Sequence, residues 1–190
     1  MTIDFQNAQN DQSNLRLMSN RFVTEKAAVT IGIATPAAQS LANATKKLPV
    51  ILGAVTDPAS ANLVHNNQRP GANITGVSDQ APIQKQLALM QTILPQLKTV
   101  GILYSSSDNS ATSQMRLFKA AAEKAGLTVI EASLSSVNDL QQVSQTLAPK
   151  VDAIYVPTDN TIASAMGTLV RTTDKTQTPV FPSAETMVKD

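Results

Sequence analysis

One pattern recurs along this chain and limits what it can fold into: an apolar strand, a short polar tip and then a helix. It is clearest at residues 151–166, where the apolar run 151–156 precedes Pro157 and the capping residues Thr158, Asp159 and Asn160. Such a run is typical of a strand buried in a parallel sheet. Pro157 ends the strand because it has no N–H to donate. In an open α/β sheet this tip lies at the carboxyl end of the strand, where ligands bind.

The same unit occurs three more times, which predicts several polar tips on the rim of one or two parallel sheets. Each copy joins an apolar run to hydroxyl or carboxylate residues and a following helix. The runs are 29–32, 50–55 and 100–104, and the tips that follow them are 34–36, 56–58 and 105–109. We expect a helix through Ala44 after the first, a short helix after Pro58, and a helix through Ala125 after the third.

The remaining pattern completes an α/β chain with two lobes and mostly parallel sheets. Further strands are expected at 74–77, 127–131 and 179–181, and the end of one at 3–5. Helices are expected at 83–94, 137–147 and from the tip at 158–160 to about 172. The segment 74–77 has the features of a crossing between lobes. We therefore expect a partial lobe at 1–77 and a fuller lobe at 78–190.

Composition excludes several classes of function. The net charge of +1 gives no field that attracts nucleic acid or an anionic membrane. There is no cysteine and only one histidine, His65, so thiolate sites, two-histidine zinc sites and cysteine nucleophiles are excluded. Neither a Walker A loop, nor G-x-G-x-x-G after a strand, nor G-x-S-x-G is present. We expect no catalytic residues, no metal and no cofactor.

The polar tips suit a zwitterion, with N–H groups and hydroxyls for its carboxylate and an aspartate for its ammonium. Two interpretations stay open at each of two tips. Thr35-Pro36-Ala37 either presents helix N–H groups to an anion or simply begins a capped helix. Asp57 either pairs with a ligand ammonium or caps the helix expected after it.

Five segments together resemble the solute-binding proteins of bacterial ABC importers, specifically a tryptophan/tyrosine-type subfamily with the type I periplasmic-binding fold. They are IGIATPAAQSLANAT, LPVILGAVTDPASANLV, RPGANITGVSD, KTVGILYSSSDNSATS and VDAIYVPTDNTIASAM. The resemblance covers nearly the whole chain. It implies two Rossmann-like three-layer lobes and an amino-acid-like ligand, tryptophan or a related aromatic, in the cleft between them. It also implies a membrane permease as partner and no enzyme activity.

The resemblance also implies an extracytoplasmic protein, periplasmic or anchored at the cell surface as a lipoprotein. The polar beginning of this chain carries no export signal. Family members have a further strand and helix before the equivalent of Thr2 and more chain after the equivalent of Asp190. We therefore expect a chain truncated at both ends, an incomplete first lobe, and pairing of two copies through its exposed edges.

Carried onto this chain, the resemblance implies ligand contacts in both lobes. Asp159 is expected to hold the ammonium, and Thr35 with the N–H of Ala37 to hold the carboxylate. The full set is Thr35, Pro36, Ala37, Thr56, Asp57, Ser78, Ser107, Asn109, Thr158, Asp159, Asn160 and Ser183.

Two other functions remain as alternatives. A ligand-sensing domain of the same fold would normally carry a DNA-binding or membrane segment. A small doubly wound hydrolase or isomerase would need a catalytic base, and the sequence offers no clear one. The chain has no Trp and two Tyr, so it provides few stacking partners for an aromatic ligand. Tyr104 and Tyr155 lie within predicted strands and are expected in the core.

Overall fold

The computed structural model describes residues 2–9 and 11–188 and divides the chain into two compact units. The first unit is Met1–Gln80 and the second is Ala81–Asp190. The boundary between the units falls after residue 80 in the structure, whereas the sequence pattern predicts it after residue 77. Within the described residues no helix has both the length and the apolar character needed to cross a membrane.

The first unit contains a three-stranded parallel sheet in the order β1-β2-β3. Its described elements are α1 (Gln12–Thr24), β1 (Thr30–Ile33), α2 (Thr35–Ala44), β2 (Val50–Val55) and β3 (Ile74–Ser78). Thr30 lies opposite Val50, and Val50 lies opposite Ile74. The pairing of β2 with β3 shifts register between Leu52 and Val55, so β2 carries a bulge just before its carboxyl end.

Helices cover one face of this sheet. Helix α2 packs on β1 and β2, and α1 packs against α2. The core on that side is apolar and includes Ala38, Leu41, Val50, Leu52 and Ile74. Three large side chains of the edge strands remain open to solvent: Ile31 is 62% exposed, Ile33 61% and Val77 73%. The first unit therefore lacks one of the three layers of a complete lobe, as the sequence predicts for an incomplete one.

The second unit contains a four-stranded parallel sheet in the order β5-β4-β6-β7. Its main elements in chain order are α3 (Ile83–Ile93), β4 (Thr99–Ser105), α4 (Asn109–Lys124), β5 (Thr128–Leu134), α5 (Leu140–Leu147), β6 (Ala153–Val156), α6 (Asn160–Ala163), α7 (Met166–Thr173) and β7 (Val180–Pro182). The sheet is covered on both faces. One core cluster joins it to α3 and α4, and the other joins it to α5, α6 and α7.

Strand β6 shows how the sequence fixes this layering. All four of its residues are buried, and they alternate between the two clusters. Ala153 and Tyr155 face α3 and α4, whereas Ile154 and Val156 face α5 and α7. A strand that is apolar at every position needs cover on both faces, which is the three-layer arrangement predicted from residues 151–156.

Three local expectations are wrong. Residues 3–5 form no strand: Ile3 is 77% exposed and Phe5 81%, and no described strand pairs with them. The segment after Pro58 forms turns instead of a helix, with Asn62 in a left-handed conformation at φ 58°. The helix expected to run to about 172 is divided into α6 and α7, because the backbone of Ala165 leaves the helical region at φ −129°, ψ 21°.

Candidate functional site

The predicted ligand residues lie after the carboxyl ends of the strands, as expected for a parallel α/β sheet. The first unit carries them at the ends of β1, β2 and β3, and the second at the ends of β4, β6 and β7. Each rim is described by itself.

In the first unit, α2 begins immediately after β1. Ala34 separates them with φ 67° and ψ 159°, a conformation that an L-residue rarely adopts. Thr35 is 5% exposed, and α2 has no side-chain cap. Because Pro36 has no N–H, the first turn offers the N–H groups of Thr35 and Ala37 as donors that lack partners within the helix. This end of α2 can therefore accept an anionic group.

The other two tips of the first unit are bonded to one another. The hydroxyl of Ser78 donates to the backbone oxygen of Thr56 at 2.7 Å. The Asp57 carboxylate accepts from the N–H and the hydroxyl of Ser60, at 3.2 and 2.5 Å, and from the amide of Asn67 at 3.1 Å. Asp57 therefore caps the turn that follows it, where the sequence predicted a capped helix. Its contact with a ligand ammonium stays a prediction.

In the second unit, the Asp159 carboxylate connects the ends of two strands. Oδ2 accepts from the N–H of Ser105 at 2.6 Å, and Oδ1 accepts from the Ser105 hydroxyl and the N–H of Ile162, both at 3.0 Å. Asp159 is 1% exposed and Ser105 is also 1% exposed. The carboxylate thus fixes the end of β4 and caps α6. With four lone-pair positions and three donors, it retains one acceptor position for a further donor.

Thr158, beside it, is held from two sides. Its hydroxyl and that of Ser183 lie 2.9 Å apart, which joins the tips after β6 and β7. Its N–H donates to Oε1 of Gln114 on α4 at 3.0 Å. Gln114 is fully buried, and its Nε2 has no hydrogen-bond partner among the described protein atoms. The hydrogen bond to Thr158 stabilises the fold by about 0.5–1.5 kcal/mol, whereas the unpaired Nε2 destabilises it by about 1–3 kcal/mol.

Tyr155 lies in the core, as predicted, and is connected to the same rim through Gln86. It is 1% exposed, and its ring stacks on Phe118 with centroids 3.7 Å apart. Its hydroxyl donates to Oε1 of Gln86 at 2.9 Å, and the Gln86 amide donates to the backbone oxygen of Ser183 at 2.9 Å. Burial raises the pKa of the Tyr155 phenol, so the hydroxyl remains a donor at neutral pH.

The loop after β4 presents a second carboxylate. Asp108 caps α4 by accepting from the N–H groups of Ser110 and Ala111 at 2.8 and 3.1 Å. Burial is the main cause that raises the pKa of Asp108, and the negative charge of Asp159 raises it further. Ser107 and Asn109 flank it and are exposed. Each of the two carboxylates raises the negative potential around the other, which favours binding of a cation near the pair.

In the second unit, Thr158 bonds Ser183 directly, and Gln114 and Ser105 hold Thr158 and Asp159 in turn. Ser107 is exposed in the loop after β4, and Asn109 and Asn160 are exposed as the first residues of α4 and α6. The predicted residue set omitted Ser105, Gln86, Asp108 and Gln114. Gln114 had a detectable signal, because it falls four residues before Phe118 on the apolar stripe of α4. A polar residue on a buried helical face requires a partner.

Comparison with protein families gives one description for the whole chain. The family model for ABC transporter substrate binding proteins matches residues 1–190. Among curated proteins, the chain is similar to a tyrosine-binding protein of Clostridioides difficile (strain R20291), with 38% identity over 183 residues. That match covers 96% of this chain and 53% of the relative.

Solved structures agree with this description. An ABC domain in complex with L-Trp from Streptococcus pneumoniae is 49% identical, with a TM-score of 0.94 over 98% of this chain and 63% of that one. A ligand-free, open substrate-binding protein with adhesive properties from Clostridium difficile is 36% identical, with a TM-score of 0.69 and the same coverage. The chain thus spans roughly half to two thirds of the length of these relatives. It belongs to the family of ABC transporter substrate-binding proteins and has their type I periplasmic-binding fold.

Proposed function

We propose that this chain is the ligand-binding part of the solute-binding component of an ABC importer, and that its ligand is an aromatic amino acid such as tryptophan or tyrosine. The observation that carries the proposal is the bonded rim of the second unit, where hydrogen bonds within the protein hold Asp159, Thr158 and Ser183. Preorganised polar groups cost little to order on binding. The relatives that are described as tyrosine-binding or bound to L-Trp support this class of ligand.

The ligand is recognised as a zwitterion by polar groups at the rims of the two sheets. Its ammonium binds at the remaining acceptor position of Asp159, in the combined field of Asp159 and Asp108. Its carboxylate binds the hydroxyl of Thr35 and the N–H of Ala37 at the beginning of α2. The other groups that contact it are Pro36, Thr56, Asp57, Ser78, Ser107, Asn109, Thr158, Asn160 and Ser183.

The protein binds this ligand without converting it. The serine hydroxyl bonded to Asp159 belongs to Ser105, which is 1% exposed and is therefore poorly placed to attack a substrate. Asp159 and Asp108 instead accept backbone N–H groups, which suits them to holding structure and charge. The partner is a membrane permease and the working location is outside the cytoplasm, a proposal supported by the match to ABC transporter substrate-binding proteins.

Two copies of this chain associate through the first unit. Strand β1 is an edge strand, and the face of the sheet away from α2 exposes Ile31, Ile33 and Val77. Open edges of this kind pair readily with another strand.

Isothermal titration of the purified chain tests the ligand assignment. Because the chain has no Trp, heat is a better signal than intrinsic fluorescence. We expect saturable binding of L-tryptophan or L-tyrosine with a Kd on the order of micromolar. D-Tryptophan and glycine serve as controls, and both are expected to bind far more weakly. Absence of saturable heat with every L-amino acid would contradict the proposal.

A further inference from the structure

We infer that Gln114 is a positioning residue for ligand binding, acting through Thr158. The inference rests on the proposed function, because Thr158 matters in this way only if it contacts the ligand. Gln114 lies in the interior of α4, and its Oε1 accepts the N–H of Thr158 at 3.0 Å. That bond joins residues 44 positions apart and fixes the backbone at the point where the tip after β6 begins.

The orientation of the Gln114 amide is settled by its partner. A backbone N–H can only donate, so the atom that faces Thr158 must be the oxygen. Nε2 is therefore the atom without a partner among the described protein atoms, and it lies in a side chain with no exposure. Such an atom is uncommon in a folded protein and calls for an explanation.

Stability alone does not explain a glutamine here. The other buried residues of α4 are all apolar: Ala111, Met115, Phe118, Ala121 and Ala122. A methionine of similar size would fill the same space and would leave no unpaired amide. Methionine would in turn leave the N–H of Thr158 without its acceptor, so the exchange replaces one unpaired donor by another and glutamine gives little net gain in folding. What it does provide is an acceptor at a fixed position for Thr158.

The consequence for binding follows from the geometry of the rim. The Thr158 hydroxyl lies 2.9 Å from that of Ser183, and the next residue, Asp159, holds the end of β4. With the N–H of Thr158 anchored, the two hydroxyls and the carboxylate keep one arrangement. Without the anchor, binding must order the tip, and that cost appears as lost affinity.

Substitution of Gln114 by methionine separates this role from a structural one. We expect Gln114→Met to bind L-tryptophan or L-tyrosine, whichever the unchanged chain binds, about tenfold more weakly, with a thermal midpoint close to that of the unchanged chain. The Thr158 amide should exchange with deuterium faster in this variant. Gln114→Glu retains an acceptor, and burial at this position raises the pKa of the new carboxyl and favours its protonated form at pH 5. At that pH its affinity should lie within about threefold of that of the unchanged chain.

Gln141→Met, on the exposed side of α5, is the matched control and should bind as the unchanged chain does. Gln114→Leu lacks the same acceptor and replaces the methionine variant if that one does not fold. Equal affinity of the unchanged chain and the variant without the acceptor would overturn the inference. So would a loss of affinity that follows a loss of thermal stability and is not restored by glutamate. An unchanged chain that binds no amino acid would overturn the proposed function, and this inference with it.

Discussion

At the scale of single residues, two aspartates hold opposite ends of the β4–β6 pair by the same chemistry. Asp159 accepts the N–H of Ser105 at the carboxyl end of β4. Asp152 accepts the N–H groups of Lys98 and Thr99 at its beginning, at 2.9 and 2.8 Å. The hydrogen bond from Thr99, followed by that from Lys98, lowers the pKa of Asp152. Only Asp159 lies on the rim where the ligand is proposed to bind.

This pair allows the ammonium assignment to be tested against a matched control. We expect Asp159→Asn to weaken ligand binding by about 2–5 kcal/mol, because the ammonium loses a desolvated charged partner. Folding should also weaken, because an amide N–H₂ would face the N–H of Ser105. Asp152→Asn should lower stability without changing affinity. Isothermal titration gives the Kd, and urea unfolding gives the stability. Unchanged affinity in Asp159→Asn would rule out the ammonium role.

The sequence indicated part of what these residues do. Thr158, Asp159 and Asn160 are recognisable as capping residues, and Asp159 does cap α6. Its bond to Ser105 crosses 54 positions and exists only because β4 and β6 are paired. Local patterns contain no information on such pairing, so the burial of Asp159 and the anchor at Gln114 became visible only in three dimensions.

At the scale of elements, the recurring strand, tip and helix predicted the sheets well. The strand expected at 50–55 is confirmed as Val50–Val55. A short apolar, branched run between turn residues is typical of a buried strand. Details that depend on backbone strain were not predictable. The bulge in β2 places Ala54 at φ 51°, and alanine gives no sequence signal for a left-handed conformation.

The close approach of β1 to α2 gives a prediction at this scale. A Cβ on Gly32 would lie 2.7 Å from Cα of Ala38, so Gly32→Ala must push α2 away from the sheet. We expect a loss of about 1–3 kcal/mol in the free energy of unfolding, together with weaker ligand binding, because the N-terminus of α2 moves. Gly167→Ala, where the nearest atom is Nη1 of Arg171 at 3.5 Å, should be neutral or stabilise α7 by up to about 1 kcal/mol. Urea unfolding of both variants measures the difference, and equal midpoints would contradict the proposed packing constraint.

At the scale of the whole molecule, the two units differ in how completely they cover their sheets. The second unit buries apolar side chains on both faces, whereas the first leaves one face open. Gly53 shows how open that face is, because a Cβ there would meet only the end of Ile33, at 2.8 Å, and a backbone oxygen at 3.9 Å. An exposed apolar face beside an open strand edge favours association.

We therefore expect the chain to self-associate through β1, with a mass by light scattering that rises from one copy toward two as concentration increases. Ile31→Lys places a charge in the exposed apolar face beside the open edge, which disfavours pairing of two such edges. That variant should remain a single copy over the same range. Leu89→Lys, which removes another exposed apolar side chain from α3 in the second unit, should associate as the unchanged chain does. If the unchanged chain stays a single copy at every concentration, or if Leu89→Lys abolishes association as fully as Ile31→Lys, the first unit is not the interface. In either case the open face of its sheet does not drive association.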